Sequence, residues 1–166
     1  MGIKKVFNIF LFLTTISTIF LIYLWYKDYQ FDTKPLAKDT ILKIEEKRKY
    51  LKSLALEKYN INYNVPILIS KDMKSNLFGK TKYSFDEKIV IYLNKNRFKE
   101  NVNYMIDSVL PHEYAHAVMF LLGDFSRQNG GHSKKWQEIC IFLEGKKCDR
   151  FVNHNDIIIE KTNPFN

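Results

Sequence analysis

His112, Glu113 and His116 form the pattern H-E-x-x-H within the segment PHEYAHA, and this combination can bind and use a metal ion. Residues four apart on a helix project from one face, so each imidazole can give one nitrogen to a single Zn²⁺ at about 2.0–2.1 Å. The carboxylate beside them is angled to reach a zinc-bound water. Because zinc lowers the pKa of that water towards about 7, Glu113 can take its proton as the water attacks a peptide carbonyl.

The alternative interpretation of the motif is two ordinary helix histidines. A chance H-E-x-x-H in a chain of this length is on the order of one per cent. The surrounding segment, VLPHEYAHAVMFLL, is apolar, and uncompensated His and Glu side chains are costly to bury there.

Pro111 deletes a helical hydrogen bond. We therefore expect the helix either to bend just before the motif or to begin there with Pro111 in its first turn.

A hydrolytic zinc site needs a third protein ligand and an open position. The metzincin pattern would require Gly and His where this chain has Met119 and Leu122, so the chain is not a metzincin. His132 follows two glycines, a flexible turn able to bring a helix start against the motif helix. Glu138 or Glu144 on the following helix could serve instead. We favour His132, because a ligand is missing and the turn suits one.

Hydrophobic periodicity predicts the elements that position these residues. Helices are predicted at 36–59, 97–122 and 133–143, and strands at 65–70, 77–85 and 88–94. Asp86-Glu87 is a plausible hairpin tip, Gly123 a helix stop and Ser133 an N-cap. The order helix, small sheet, helix, helix predicts an α+β domain whose small sheet we expect to be antiparallel.

Residues 6–26 carry no charge, and at about 1.5 Å per residue they span roughly 30 Å, the thickness of a bilayer's hydrocarbon core. The far end is bulky and aromatic, which argues against a cleaved signal peptide, and the segment is apolar all round, which argues against a buried core helix. We expect an uncleaved transmembrane helix that binds the membrane through residues 6–26. The predicted organisation is tail and anchor at 1–27, a short linker at 28–35, and one domain at 36–166.

Charges flanking this segment bear on orientation. Lys4 and Lys5 favour a cytoplasmic N-terminal tail, whereas Lys27, Lys34 and Lys38 just beyond the helix oppose it. Long C-terminal domains translocate largely regardless of charge. We therefore expect a single-pass protein of the plasma (inner) membrane with its catalytic domain on the non-cytoplasmic side.

The net charge of +8 and the two cysteines restrict the function classes. A basic domain could meet nucleic acid, anionic lipid or acidic substrates, but the interspersed acids favour ordinary solvated lysines. Cys140 and Cys148 are too few for a disulfide framework and lack the spacing of a zinc ribbon. They can form one disulfide in an oxidising compartment or remain two free thiols in a reducing one.

Several segments together resemble the SprT-like (Spartan-type) zinc metallopeptidases. PHEYAHAV is similar to the family's active-site helix, and NGGHSKKW, with Trp136 in the aromatic place, is similar to its later Gly-His segment. KIVIYLN resembles the strand before that helix, and CDRFVNH, ending at His154, resembles the stretch after the last core helix. The resemblance covers roughly residues 60–156. By spacing alone, His154 is better explained as an ordinary polar contact than as a further ligand.

The resemblance implies a zincin-like domain in which His112, His116 and His132 bind Zn²⁺ and Glu113 is the catalytic base. Many family members carry a C-terminal zinc ribbon, which we do not expect here, and they are usually soluble. The leading hypothesis is therefore a membrane-tethered endopeptidase acting on protein or peptide substrates. The alternatives are a DNA-associated protease, with nucleic acid a less favoured partner, and a non-catalytic membrane protein that binds zinc for structure. An intact base argues against the last of these.

Overall fold

The computed structural model describes residues 2–84, 86, 88–126 and 128–150. The chain divides into two compact units, Met1–Pro35 and Leu36–Asn166. The second is a mixed α and β domain with a small three-stranded sheet.

The first unit consists of one helix, α1 (Ile3–Thr33), with no buried residue. Hydroxyls in its apolar stretch bond to carbonyls of the preceding turn; those of Thr15 and Thr18, for example, lie 2.8 Å from the carbonyls of Leu11 and Thr14. These polar groups are therefore satisfied inside the helix. The helix continues through residues 28–33, where a linker was expected. By length and composition it could cross a membrane, a criterion that a signal sequence near the N-terminus also meets.

The second unit begins with α2 (Lys38–Tyr59), as the periodicity predicts to within two residues. Its buried positions are Thr40, Ile44, Leu51 and Ala55, a helical spacing that turns one face to the core. The helix ends at Asn60, whose φ of 55° is the left-handed conformation that asparagine tolerates after a helix.

The sheet contains β1 (Ile67–Ser70), β2 (Gly79–Tyr83) and β3 (Ile89–Asn94) in the order β1-β3-β2. The hairpin of β2 and β3 is antiparallel as predicted, and Ser84 N–H donates to the Lys88 carbonyl at 3.0 Å beside its tip. However, β1 pairs with β3 in parallel, so the prediction of an antiparallel sheet is wrong. β1 and β3 both run opposite to β2, and because β2 lies on the far side of β3 from β1, these two parallel strands become neighbours.

The single helix predicted at 97–122 is also wrong. The structure has α3 (Lys95–Glu100), α4 (Val102–Tyr104), a π-helical turn (Met105–Val109) and α5 (Leu110–Leu121). The interruption has a local cause, because Asn101 adopts extended backbone and its side chain accepts a hydrogen bond from Tyr104 N–H at 3.0 Å. Asparagine in this role starts a helix instead of continuing one.

Pro111 lies in the first turn of α5, one of the two arrangements that the sequence allowed. A proline has no N–H to donate to the carbonyl four residues earlier, which belongs to Asp107. Lys146 N–H donates to that carbonyl instead, at 3.0 Å, and Lys146 Nζ lies 2.8 Å from Asp107 Oδ2. The segment after the last helix therefore satisfies the acceptor that the proline leaves open.

The last helix is α6 (Lys134–Phe142), and Ser133 caps it as predicted by accepting from Trp136 N–H at 3.2 Å. A disulfide joins Cys140 to Cys148, with their Cα atoms 5.8 Å apart. Helix α5 packs between the sheet and α6 and is buried along most of its length. This central position puts the motif helix in contact with β2 on one side and α6 on the other.

Candidate metal centre

His112 and His116 lie one turn apart on α5, and His132 lies just before α6. The Nε2 atom of His132 is 3.1 Å from that of His112 and 3.2 Å from that of His116. Ligand nitrogens held at 2.0–2.1 Å around a tetrahedral zinc are about 3.3 Å apart. The spacing of the three imidazoles therefore fits one metal ion.

Hydrogen bonds among the three histidine rings explain their close approach less well than a shared metal ion does. A neutral imidazole nitrogen offers either one proton or one lone pair, so His132 Nε2 can make one of its two short contacts a good hydrogen bond. Burial, with a smaller contribution from the neighbouring histidines, lowers the pKa of His112 to about 3. Burial and His132 lower the pKa of His116 to about 4. Both rings are therefore neutral at pH 7, the form that binds a metal.

The turn before His132 depends on two glycines. Gly130 and Gly131 have φ angles of 66° and 86°, the left-handed region that favours glycine. A Cβ at Gly130 would lie 3.1 Å from the guanidinium of Arg150, and one at Gly131 would lie 3.5 Å from the His116 ring. The positive φ angles of these two glycines allow the turn that places His132 beside the motif.

Trp136 packs against all three histidines. It is 1% exposed, and its ring centroid lies 4.6, 5.2 and 4.4 Å from those of His112, His116 and His132. Packing of this kind fixes ring orientation, which a metal site requires. The indole is thus the support on which the three imidazoles converge.

Strand β2 holds Glu113 from the other side. Thr81 Oγ1 lies 2.7 Å from Glu113 Oε2 and 2.8 Å from the Glu113 carbonyl oxygen. A Cβ added at Gly79 would lie 2.6 Å from Glu113 Cγ, so only glycine leaves room for the carboxylate. Burial raises the pKa of Glu113 to about 7, against the opposing hydrogen bond from Thr81.

Sequence reasoning missed Gly79 and Thr81. The available signal was a glycine inside a strand, which often marks a close approach of another group. The residue two positions further along such a strand points to the same face. Together these features could have marked β2 as the strand that contacts the motif helix.

A cavity of about 930 Å³ opens over this cluster. Its walls include residues 76–81 and 83 of the β2 region, one face of α5, and residues 124–126, 130–132, 147, 149 and 150. The three histidines and Glu113 all line it, so the site is open to a large ligand.

The two alternative third ligands lie elsewhere. Glu138 and Glu144 are exposed, and neither lines the cavity. The Glu144 carboxylate accepts a hydrogen bond from the Tyr50 hydroxyl at 2.8 Å. Among the residues that the structure describes, the one cluster able to hold a metal ion is His112, His116 and His132. His154 lies outside the described residues.

Comparison with known proteins gives one match. The model of the SprT-like family matches residues 26–154, which is most of the chain. The matched range includes the whole of α2, the sheet, the motif helix and the disulfide. No curated protein and no solved structure matches the chain.

Proposed function

The chain belongs to the SprT-like family, whose members are generally zinc metallopeptidase-like, and on that premise we propose that it is a zinc-dependent endopeptidase tethered to a membrane. The observation that carries the proposal is the convergence of three imidazoles beside a buried carboxylate, inside one open cavity. A purely structural zinc site has no need of a base at this position. The domain would then be zincin-like, with the H-E-x-x-H helix at its centre.

In this proposal His112, His116 and His132 would hold Zn²⁺, leaving one position open. A bound zinc ion would supply a Lewis acid and a water of lowered pKa. Glu113 would accept the proton of that water and then deliver it to the leaving amine.

We propose an extended peptide as the substrate, because the edge strand β2 lines the cavity. Asn94 N–H donates to the Phe78 carbonyl and Ser84 N–H donates to the Lys88 carbonyl, so the even-numbered residues from 78 to 84 are the ones whose backbone groups point towards β3. In an antiparallel pair with this register, the backbone groups of residues 79, 81 and 83 point to the open edge. An extended segment of a protein substrate could add to that edge as a further strand.

The proposed anchor is α1, with the domain on the non-cytoplasmic side. The length and apolar composition of α1 support the anchor, and the Cys140–Cys148 disulfide supports an oxidising compartment. We expect both cysteines to resist a membrane-impermeant thiol reagent in intact cells until a reductant is added. Free thiols that react only after the cells are lysed would place the domain in the cytoplasm.

The test of the activity is proteolysis by the full chain in detergent micelles. We expect a zinc-loaded preparation to cleave an unfolded protein, to lose activity with a chelator, and to regain it when zinc is added back. Failure to cleave any unfolded protein at one zinc per chain would contradict the proposal and favour a non-catalytic zinc protein. Steeply salt-dependent affinity for DNA would instead favour the DNA-associated alternative.

A further inference from the structure

Three aromatic side chains line one end of the cavity. The Tyr83 ring centroid is 6.0 Å from that of Phe120 and 4.9 Å from that of Phe125. Phe120 and Phe125 stack with their centroids 5.7 Å apart and an interplanar angle of 16°. Tyr83 is 41% and Phe125 51% exposed, although these rings pack together. We refer to these three residues as the aromatic cluster.

The position of Phe125 is set by the end of α5. Gly123 N–H donates to the Phe120 carbonyl and Asp124 N–H donates to the Met119 carbonyl, the two bonds of a Schellman motif. Gly123 has a φ of 73°, as that motif requires. The chain therefore reverses immediately after α5 and brings the next residue back towards the helix.

Asp124 fixes the reversed segment. Its Oδ1 accepts from Ser126 N–H at 3.0 Å, and its Oδ2 lies 3.5 Å from Lys135 Nζ on α6. Phe125 lies between these contacts, with its ring stacked on Phe120. An exposed phenylalanine held in this way presents apolar surface to the cavity.

The aromatic cluster is close to the proposed reaction centre. Phe120 follows His116 by four residues on α5, so it lies one turn away on the same face, about 6 Å along the helix. Tyr83 follows Thr81 by two residues on β2 and faces the same side, about 6.8 Å further along the strand. A peptide lying along β2 advances about 3.4 Å per residue. A side chain over the aromatic cluster would thus belong to a residue within two positions of the scissile bond.

We propose that the aromatic cluster is a specificity subsite, which accepts a large apolar or aromatic side chain within two residues of the cleaved bond. The inference rests on the proposed peptidase function and adds the class of substrate. Burying such a side chain removes apolar surface of both partners from water, and a favourable ring pair adds about 0.5–1.5 kcal/mol. An acidic side chain would lose solvation without finding a positive charge on the three rings.

The first test compares cleavage of matched peptides by the full chain in micelles. The peptides carry Phe, Ala or Asp at each of the two positions on either side of one bond. At one of these positions we expect kcat/KM for Phe to exceed that for Ala by roughly tenfold, with Asp the poorest. Phe125→Ala should reduce the Phe-to-Ala ratio by about two- to tenfold, whereas Phe125→Tyr should keep it. Ile141→Ala, which removes an exposed apolar side chain on α6 outside the cavity, is the control and should leave the ratio unchanged.

The second test separates the subsite from catalysis. Zinc-loaded Glu113→Gln protein is titrated with the same peptides, and we expect tighter binding of the Phe peptide and loss of that preference when Phe125→Ala is added. Equal affinity for the Phe and Ala peptides, or a preference that survives Phe125→Ala, overturns the subsite. If the wild-type chain cleaves no peptide while the preference in binding is present, the peptidase proposal fails and the subsite stands.

Discussion

The two walls of the cavity differ in what their residues contribute to the site. The α5 and α6 wall carries the groups with intrinsic chemistry: two histidines at helical spacing and a third after a glycine turn. The β2 wall carries Gly79 and Thr81, neither of which has catalytic chemistry of its own, yet both contact Glu113. One wall supplies reactive groups, and the other fixes where one of them points.

The largest expected effect belongs to the α5 and α6 wall, which carries the proposed zinc ligands. His132→Ala leaves two protein ligands, so we expect zinc affinity to fall by more than about 100-fold, a larger loss than changes outside the ligand set cause. Activity should fall with it. Metal analysis and proteolysis after dialysis measure both. Glu138→Ala is the matched control, because it removes one of the two alternative ligands; loss of zinc in that variant would show that the third ligand is misassigned.

A substitution on the β2 wall should separate positioning from metal binding. In Gly79→Ala the new Cβ would meet Glu113 Cγ at 2.6 Å, so the carboxylate must move. A displacement of about 1 Å in a catalytic group can cost on the order of 100-fold in rate. We expect that loss with zinc content unchanged. Lys82→Ala, on the opposite face of the strand, controls for damage to β2 and should keep activity. Full activity in Gly79→Ala would show that β2 does not position Glu113 for catalysis.

A smaller effect is expected from the hydroxyl that bonds to Glu113. Thr81→Val keeps the side-chain shape but removes the bond to Oε2, and one hydrogen bond to a charged group corresponds to roughly tenfold in rate. Thr81→Ser should restore most of the activity, since it returns the donor. Kinetics at saturating zinc provide the measurement. Equal activity in the Val and Ser variants would assign Thr81 to packing alone.

The same contrast explains which parts of the site could be predicted from sequence. H-E-x-x-H is a local pattern on one helix, so His112, His116 and Glu113 could be proposed as site residues without knowledge of the fold. His132 required only a turn and the need for a third ligand. Gly79 and Thr81 reach Glu113 through strand pairing and helix packing across more than 30 positions in sequence, contacts that periodicity does not encode.

The fold, like the site, could be predicted from sequence only where local patterns determine it. Helices α2 and α6 and the β2–β3 hairpin follow from local periodicity and caps. The parallel pairing of β1 depends on which side of β3 the crossing chain takes, a choice made by tertiary packing. The division of the predicted 97–122 helix depends on Asn101, whose side chain takes up a backbone N–H and whose capping role was overlooked.

The most direct test of the account is Glu113→Gln in the full chain, with zinc content and proteolysis measured on one preparation. The substitution keeps the side-chain size but removes the carboxylate that would accept the proton of the zinc-bound water. Loss of a general base typically costs about 10²–10⁴ in rate. The account predicts that loss with about one zinc still bound per chain, because His112, His116 and His132 are the proposed ligands and Glu113 is not one of them. Loss of zinc together with activity would contradict the assigned roles, and full activity with zinc bound would contradict Glu113 as the base.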